Sequence, residues 1–122
     1  MKIKFDLSPN YSKKKRVKKN IKFVIIHYTG MQSVIESVKR LKNPKAKVSC
    51  HYLINRKGLV IQMVKDKDIA WHAGKSKWGN YKNLNYNSIG IELVNKGHEH
   101  GYQNFSKKQI NSLLKLCKKL KK

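Results

Sequence analysis

Ile21-Lys22-Phe23-Val24-Ile25-Ile26-His27 is the stretch on which the fold turns. Five of the six residues before His27 are apolar. A short run rich in β-branched side chains reads as a buried strand, with the imidazole carried at its C-terminal end. Strand ends are where rigid elements present side chains to a cleft, so His27 is a candidate site residue. The competing reading is a core histidine satisfied by one hydrogen bond.

The segments on either side give a mixed α/β pattern. Residues 1–20 are polar and basic, with Ser8-Pro9-Asn10 as a turn signal, and read as a lead-in arm. Residues 21–122 read as a single domain. After the first strand, Ser33 and Glu36 have the form of a capping box, and Val34, Ile35, Val38 and Leu41 recur at helical spacing. Asn43-Pro44 ends that helix. Residues 49–55 and 59–64 flank Arg56-Lys57-Gly58 and predict a β-hairpin. Residues 66–87 read as a long irregular loop, a kind of segment that is usually functional. In Ser88-Ile89-Gly90-Ile91-Glu92-Leu93-Val94 the alternation puts Ser88, Gly90 and Glu92 on one face of a strand. A last helix starts at Ser106, where Gln109 is expected to complete a second capping box. Ile110, Leu113, Leu114, Cys117 and Leu120 form its apolar face.

Composition narrows the function classes. With 122 residues, 39% of them hydrophobic, the chain is sized for one small core. No stretch approaches the ~20 apolar residues of a membrane span. The N-terminus lacks the apolar region of a secretory signal, so the expected location is the cytoplasm, with the periplasm as the alternative. Cys50 and Cys117 form no C-x-x-C pair and read as free structural thiols. The net charge of +23 invites a nucleic-acid partner, but only three of the 29 basic residues are arginine. Phosphate and base recognition favours the arginine fork, and the lysines are spread along the whole chain. No specific nucleic-acid partner is expected, only weak salt-sensitive binding to polyanions. The clusters Lys13-Lys14-Lys15-Arg16 and Lys118-Lys119-Leu120-Lys121-Lys122 read as solvated faces.

Several residues carry chemistry. Glu92 is one of three glutamates and sits between apolar neighbours. Burial there would raise its pKa toward the range of a general acid or base; an ion pair with a lysine is the plainer reading. Trp71-His72 could stack on and hydrogen-bond a ligand, or cover a sheet edge. His98 and His100 could form a metal pair on a strand, but their flanking glycines favour a loop. His51 reads as a packed, hydrogen-bonded histidine.

In order along the chain, Val24-Ile25-Ile26-His27-Tyr28-Thr29, Ser49-Cys50-His51-Tyr52-Leu53-Ile54, Ile69-Ala70-Trp71-His72-Ala73-Gly74 and Asn87-Ser88-Ile89-Gly90-Ile91-Glu92-Leu93 closely resemble the zinc-dependent N-acetylmuramoyl-L-alanine amidases. That family (amidase type 2) also includes the amidase-type phage lysozymes and the peptidoglycan recognition proteins. The resemblance runs from about residue 8 to the end of the chain. It implies a central mixed β-sheet flanked by helices. It also implies His27 as a zinc ligand and Glu92 as the catalytic residue that activates the zinc-bound water. Trp71 and His72, with Trp78 and Asn87, would line the substrate groove. The implied reaction is hydrolysis of the amide between the lactyl group of N-acetylmuramic acid and L-alanine, in peptidoglycan or a muropeptide.

The match departs from the family at its C-terminal end. Family members carry a second histidine ligand and a third, Asp or Cys ligand beyond the long helix. Here no histidine follows His100 and no acidic residue follows Glu99. The last strand and helix of the family domain are therefore expected to be missing and the zinc site incomplete. An unpaired sheet edge, self-association or a complementing chain is expected with that. Whether Cys50 or His98 supplies a ligand stays open. Three readings stand: an amidase with little or no activity as an isolated chain, a non-catalytic peptidoglycan-fragment binder, and a generic cationic module for nucleic acid or membrane.

Overall fold

The computed structural model describes residues 1–14, 16–97, 101 and 103–121. The expected metal pair His98 and His100 lies outside them. Eleven regular elements follow in order: β1 (Ile3–Phe5), β2 (Tyr11–Ser12), β3 (Phe23–Tyr28), α1 (Val34–Lys42), β4 (Tyr52–Ile54), β5 (Val60–Gln62), β6 (Ile69–Ala70), β7 (Lys77–Trp78), β8 (Tyr81–Lys82), β9 (Ser88–Leu93) and α2 (Lys107–Leu120). Five strands form one mixed sheet in the order β1-β5-β4-β9-β3. β4 and β5 are the expected antiparallel hairpin, while β9 runs parallel to both β4 and β3. No helix among the described residues is long and apolar enough to cross a membrane.

The helices cover opposite faces. Leu113 and Leu116 of α2 pack on Tyr52, Ile54, Val60, Ile89, Ile91 and Leu93. Leu41 of α1 packs with Cys50, Leu53, Ile61, Met63 and Val94. Strand alternation is the cause: odd-numbered residues of β9 face α2, and even-numbered ones face the α1 side.

Five sequence expectations are corrected. First, β3 is not a buried strand. It lies at the edge of the sheet, and Val24, Ile26 and Tyr28 are exposed. An apolar run reports hydrophobicity, not position within a sheet. Second, residues 1–20 are not a loose arm. β1 pairs in parallel with β5, β2 pairs with β6, and Asn10 is buried, its side-chain amide donating to the Asn43 and Val48 carbonyls. Third, the Gln109 side chain does not reach back to close a capping box. Ser106 does accept from the Gln109 amide N–H, but the Gln109 side chain turns into the core and donates to the Ile54 and Val94 carbonyls, tying β4 to β9.

The fourth correction is Arg16, which belongs to no solvated face. It is buried, and its guanidinium donates to the carbonyls of Asp66, Asn85, Tyr86 and Ser88. Desolvation lowers its pKa. A planar fork with five donors is the side chain suited to so many carbonyls at once. Residues 66–87 are likewise more ordered than a plain loop. They hold β6, the β7–β8 hairpin and a 3-10 turn over Leu84–Asn87.

Candidate functional site

The parallel register of β3 and β9 sets His27 directly beside Glu92. Paired residues in a sheet project to the same face, so both side chains stand on the α1 side. On that face β9 offers Ser88, Gly90 and Glu92, two of them small. The space above Gly90 is taken by the His72 ring: a Cβ at position 90 would lie 2.4 Å from the His72 Cγ. Glycine is required there for close approach rather than for its backbone freedom.

His72 is held from below and from behind. The backbone N–H groups of His72 and Ala73 both donate to Asn85 Oδ1, at 3.2 and 2.8 Å. Its Nδ1 lies 3.0 Å from His27 Nε2, and its Nε2 lies 2.9 Å from Ser88 Oγ. Burial, and then the neighbouring His27, His51 and Arg16, lower its pKa to about 3. His27 is lowered as well, by burial. Both rings are therefore neutral near pH 7.

Glu92 is the perturbed acid of the site. Desolvation raises its pKa to about 7, against an opposing field from Arg40. Leu53, fully buried on β4, is its other cross-strand neighbour. A carboxyl poised near neutrality can both take and return a proton. Glu92, His72, Trp71 and Arg40 line one pocket of about 180 Å³, walled by Tyr28 and Met31.

The other sequence candidates separate from this centre. Trp71 lines the pocket, while its indole N–H is spent on Ser12 Oγ at 2.9 Å. Trp78 sits on the β7–β8 hairpin, 69% exposed, outside the pocket lining. Asn87 donates from its side chain to the Asn20 carbonyl and is also outside that lining. Cys50 is fully buried, with its thiol pushed well up by burial and then by Glu92. His51 is fully engaged: its Nδ1 accepts from the Gly90 N–H, so Nε2 carries the proton and donates to the Asp68 carbonyl at 2.8 Å.

Sequence reasoning missed Arg40, Ser88 and Arg16. Arg40 had one available signal, its place in the last turn of a helix whose apolar face packs on the sheet. Ser88 meets His72 across 16 residues of chain and Arg16 meets the Ser88 carbonyl across 72, and nothing local marks either contact. Among the described residues no three His, Cys, Asp or Glu side chains converge as a metal site.

Known proteins resemble this chain in sequence and fold. The family model described as N-acetylmuramoyl-L-alanine amidase matches residues 17–122. The N-acetylmuramoyl-L-alanine amidase AmiD of Escherichia coli is 36% identical over 110 residues, which are 80% of this chain and 39% of that protein. The N-acetylmuramoyl-L-alanine amidase A of Achromobacter lyticus is 35% identical over 114 residues, 93% of this chain and 56% of the relative. Among solved structures, AmpDh3 of Pseudomonas aeruginosa superposes with a TM-score of 0.75 at 33% identity, over 83% of this chain and 44% of the other. E. coli AmiD in complex with the substrate anhydro-N-acetylmuramic acid-L-Ala-D-γ-Glu-L-Lys gives 0.72 at 35% identity, over 83% and 43%. The chain thus spans 39% and 56% of the length of these two curated relatives. It belongs to the N-acetylmuramoyl-L-alanine amidase family.

Proposed function

We propose that this family member handles the amide between the lactyl group of N-acetylmuramic acid and L-alanine, in peptidoglycan or its fragments, with Glu92 as general base. The observation that carries the reading is Glu92 at a pocket, titrating near 7 and standing in register with His27 on the neighbouring strand. In that role Glu92 takes a proton from the attacking water and returns it to the leaving amine. Arg40, on the pocket wall, is the cation available to a carboxylate of the stem peptide. Trp71 supplies an apolar wall for the sugar or the lactyl methyl.

The zinc that family membership implies would find one imidazole donor in His27. A catalytic zinc takes three protein ligands, so the described residues do not hold it by themselves. This favours a second component to the reading: the 122-residue chain on its own binds muramoyl peptide and turns it over little or not at all.

The test is calorimetry of the purified chain with N-acetylmuramoyl-L-alanyl-D-isoglutamine, alongside mass spectrometry for released dipeptide with and without added zinc. Expected are binding that weakens in Trp71→Ala and little or no release. Zinc-dependent release abolished by His27→Ala would overturn the incompleteness. An absence of binding under every condition would remove the muramoyl-peptide reading itself.

A further inference from the structure

Two hollows lie side by side on the sheet face that α2 covers. The first, of about 570 Å³, takes Tyr52 and Ile89 of the α2 cluster into its lining, together with Val17, Val24 and Leu120. The second, of about 590 Å³, includes Met1, Ile3 and Phe5 and shares Tyr52, Asp66, Lys67 and Lys119 with the first. Neither shares a residue with the Glu92 pocket. Six exposed lysines line the pair: Lys18, Lys22, Lys65, Lys67, Lys119 and Lys121. Among the described residues only Lys67 of these six has a carboxylate partner, Asp68 at 3.9 Å. Asp66 is the one acid in either lining, and its Oδ1 already accepts from the Tyr52 hydroxyl and from Gln62 Nε2. Met1, Phe5 and Val17, in the same linings, are each more than half exposed.

Like charges gathered on one face repel one another until an anionic surface lies over them. A polyanion alone has no use for exposed apolar tips, which gain free energy only where hydrocarbon meets them. Lysines mixed with such tips suit the boundary of an anionic bilayer. There the tips enter the acyl region, and the lysine stems run along them to the lipid phosphates. We propose that the two hollows form a docking face for a bilayer containing anionic phospholipid, with Met1, Phe5 and Val17 as the inserted side chains and the six lysines as the contacts to the headgroups. Charge complementarity selects this occupant over a second copy of the chain, since two copies at +23 each repel. Docked in this way, the chain keeps the Glu92 pocket on the other side of the sheet, away from the lipid. Lipid docking is independent of the amidase reading, and either can fail alone.

Co-sedimentation of the full chain with vesicles at physiological ionic strength tests the docking face. Vesicles of phosphatidylcholine alone are set against equal parts of phosphatidylcholine and phosphatidylglycerol. The chain should sediment with the mixed vesicles and not with the neutral ones. Two variants that lose the same charge separate place from total charge, with folding checked by circular dichroism. Lys18→Glu with Lys22→Glu, Lys119→Glu and Lys121→Glu should weaken binding at least about tenfold. Lys39→Glu with Lys45→Glu, Lys57→Glu and Lys107→Glu lie outside both hollows and should weaken it less than about threefold, because headgroup attraction falls off within a Debye length. Phe5→Ser with Val17→Ser keeps every charge and should also weaken binding at least about tenfold, through lost apolar insertion. Failure to bind mixed vesicles would overturn the proposal outright. Equal losses in the two charge variants would assign the attraction to net charge rather than to this face and overturn it as well. Undiminished binding by folded Phe5→Ser with Val17→Ser would leave a plain polyanion surface, nucleic acid included, in place of a lipid-docking one.

Discussion

The two faces of β9 differ in what they are made to do. Toward α2, Ile89, Ile91 and Leu93 are packed under Leu113 and Leu116, a continuous apolar layer. Toward α1, Ser88, Gly90 and Glu92 carry one hydroxyl, one hydrogen and one carboxyl, with the His72 ring laid over Gly90 and hydrogen-bonded to Ser88. Each face is built from alternate residues of one six-residue strand. The apolar face gains stability from burial, while the other gives some up by desolvating a carboxyl. A single strand thus separates stabilising and chemical roles by parity alone, and substitutions on its two sides should have effects of opposite kind.

The largest expected effect is on the packed face. Ile91 is fully buried within the α2 cluster. Ile91→Ala should cost about 3 kcal/mol in denaturant unfolding, through lost burial and the cavity left behind. A cost under about 1 kcal/mol would mean that α2 does not pack tightly on β9.

On the opposite face Glu92→Gln should stabilise, and only at high pH. The folded chain holds the Glu92 proton up to about 7, against an ordinary value of 4.5. The folded state therefore binds the proton more tightly than the unfolded chain does. That contribution is complete below pH 4.5 and is lost as pH rises through about 7. Glu92→Gln escapes the loss, with a gain on the order of 2–3 kcal/mol at pH 8 that fades by pH 5. Equal stability of the two proteins at pH 8 would break the contrast between the faces.

The smallest effect sharpens the electrostatics of the pocket. The Arg40 field holds Glu92 below the value that burial alone would set. Arg40→Ala should raise the Glu92 pKa further, read as a shift of its carboxyl ¹³C titration. A titration that stays put or falls would take Arg40 out of the field at Glu92.

Much of this was legible in the chain. Alternation in Ser88–Leu93 predicts which residues face which way, because a strand's period of two is a local property. The Ser33 and Ser106 caps, the β4–β5 hairpin and the start of each helix follow from local hydrogen bonding in the same way. His27 and Glu92 stood out as polar groups on apolar strands. The position of β3 was not legible, since an edge strand with one solvated apolar face and a central strand share one composition. Arg16 was misread for a similar reason: a basic run gives no sign of which member turns inward.

The sequence by itself determined the elements, the parity of β9 and the two motifs that bear the imidazole and the carboxyl. Only the tertiary structure decided that His27 stands in register with Glu92, that His72 bridges to His27 across 45 residues of chain, and that Arg16 reaches the Ser88 carbonyl across 72. The physical reason is range. Propensity, capping and periodicity act within a few residues, while desolvation and hydrogen-bond direction depend on which groups packing brings together. The pKa of Glu92 is a property of that packing.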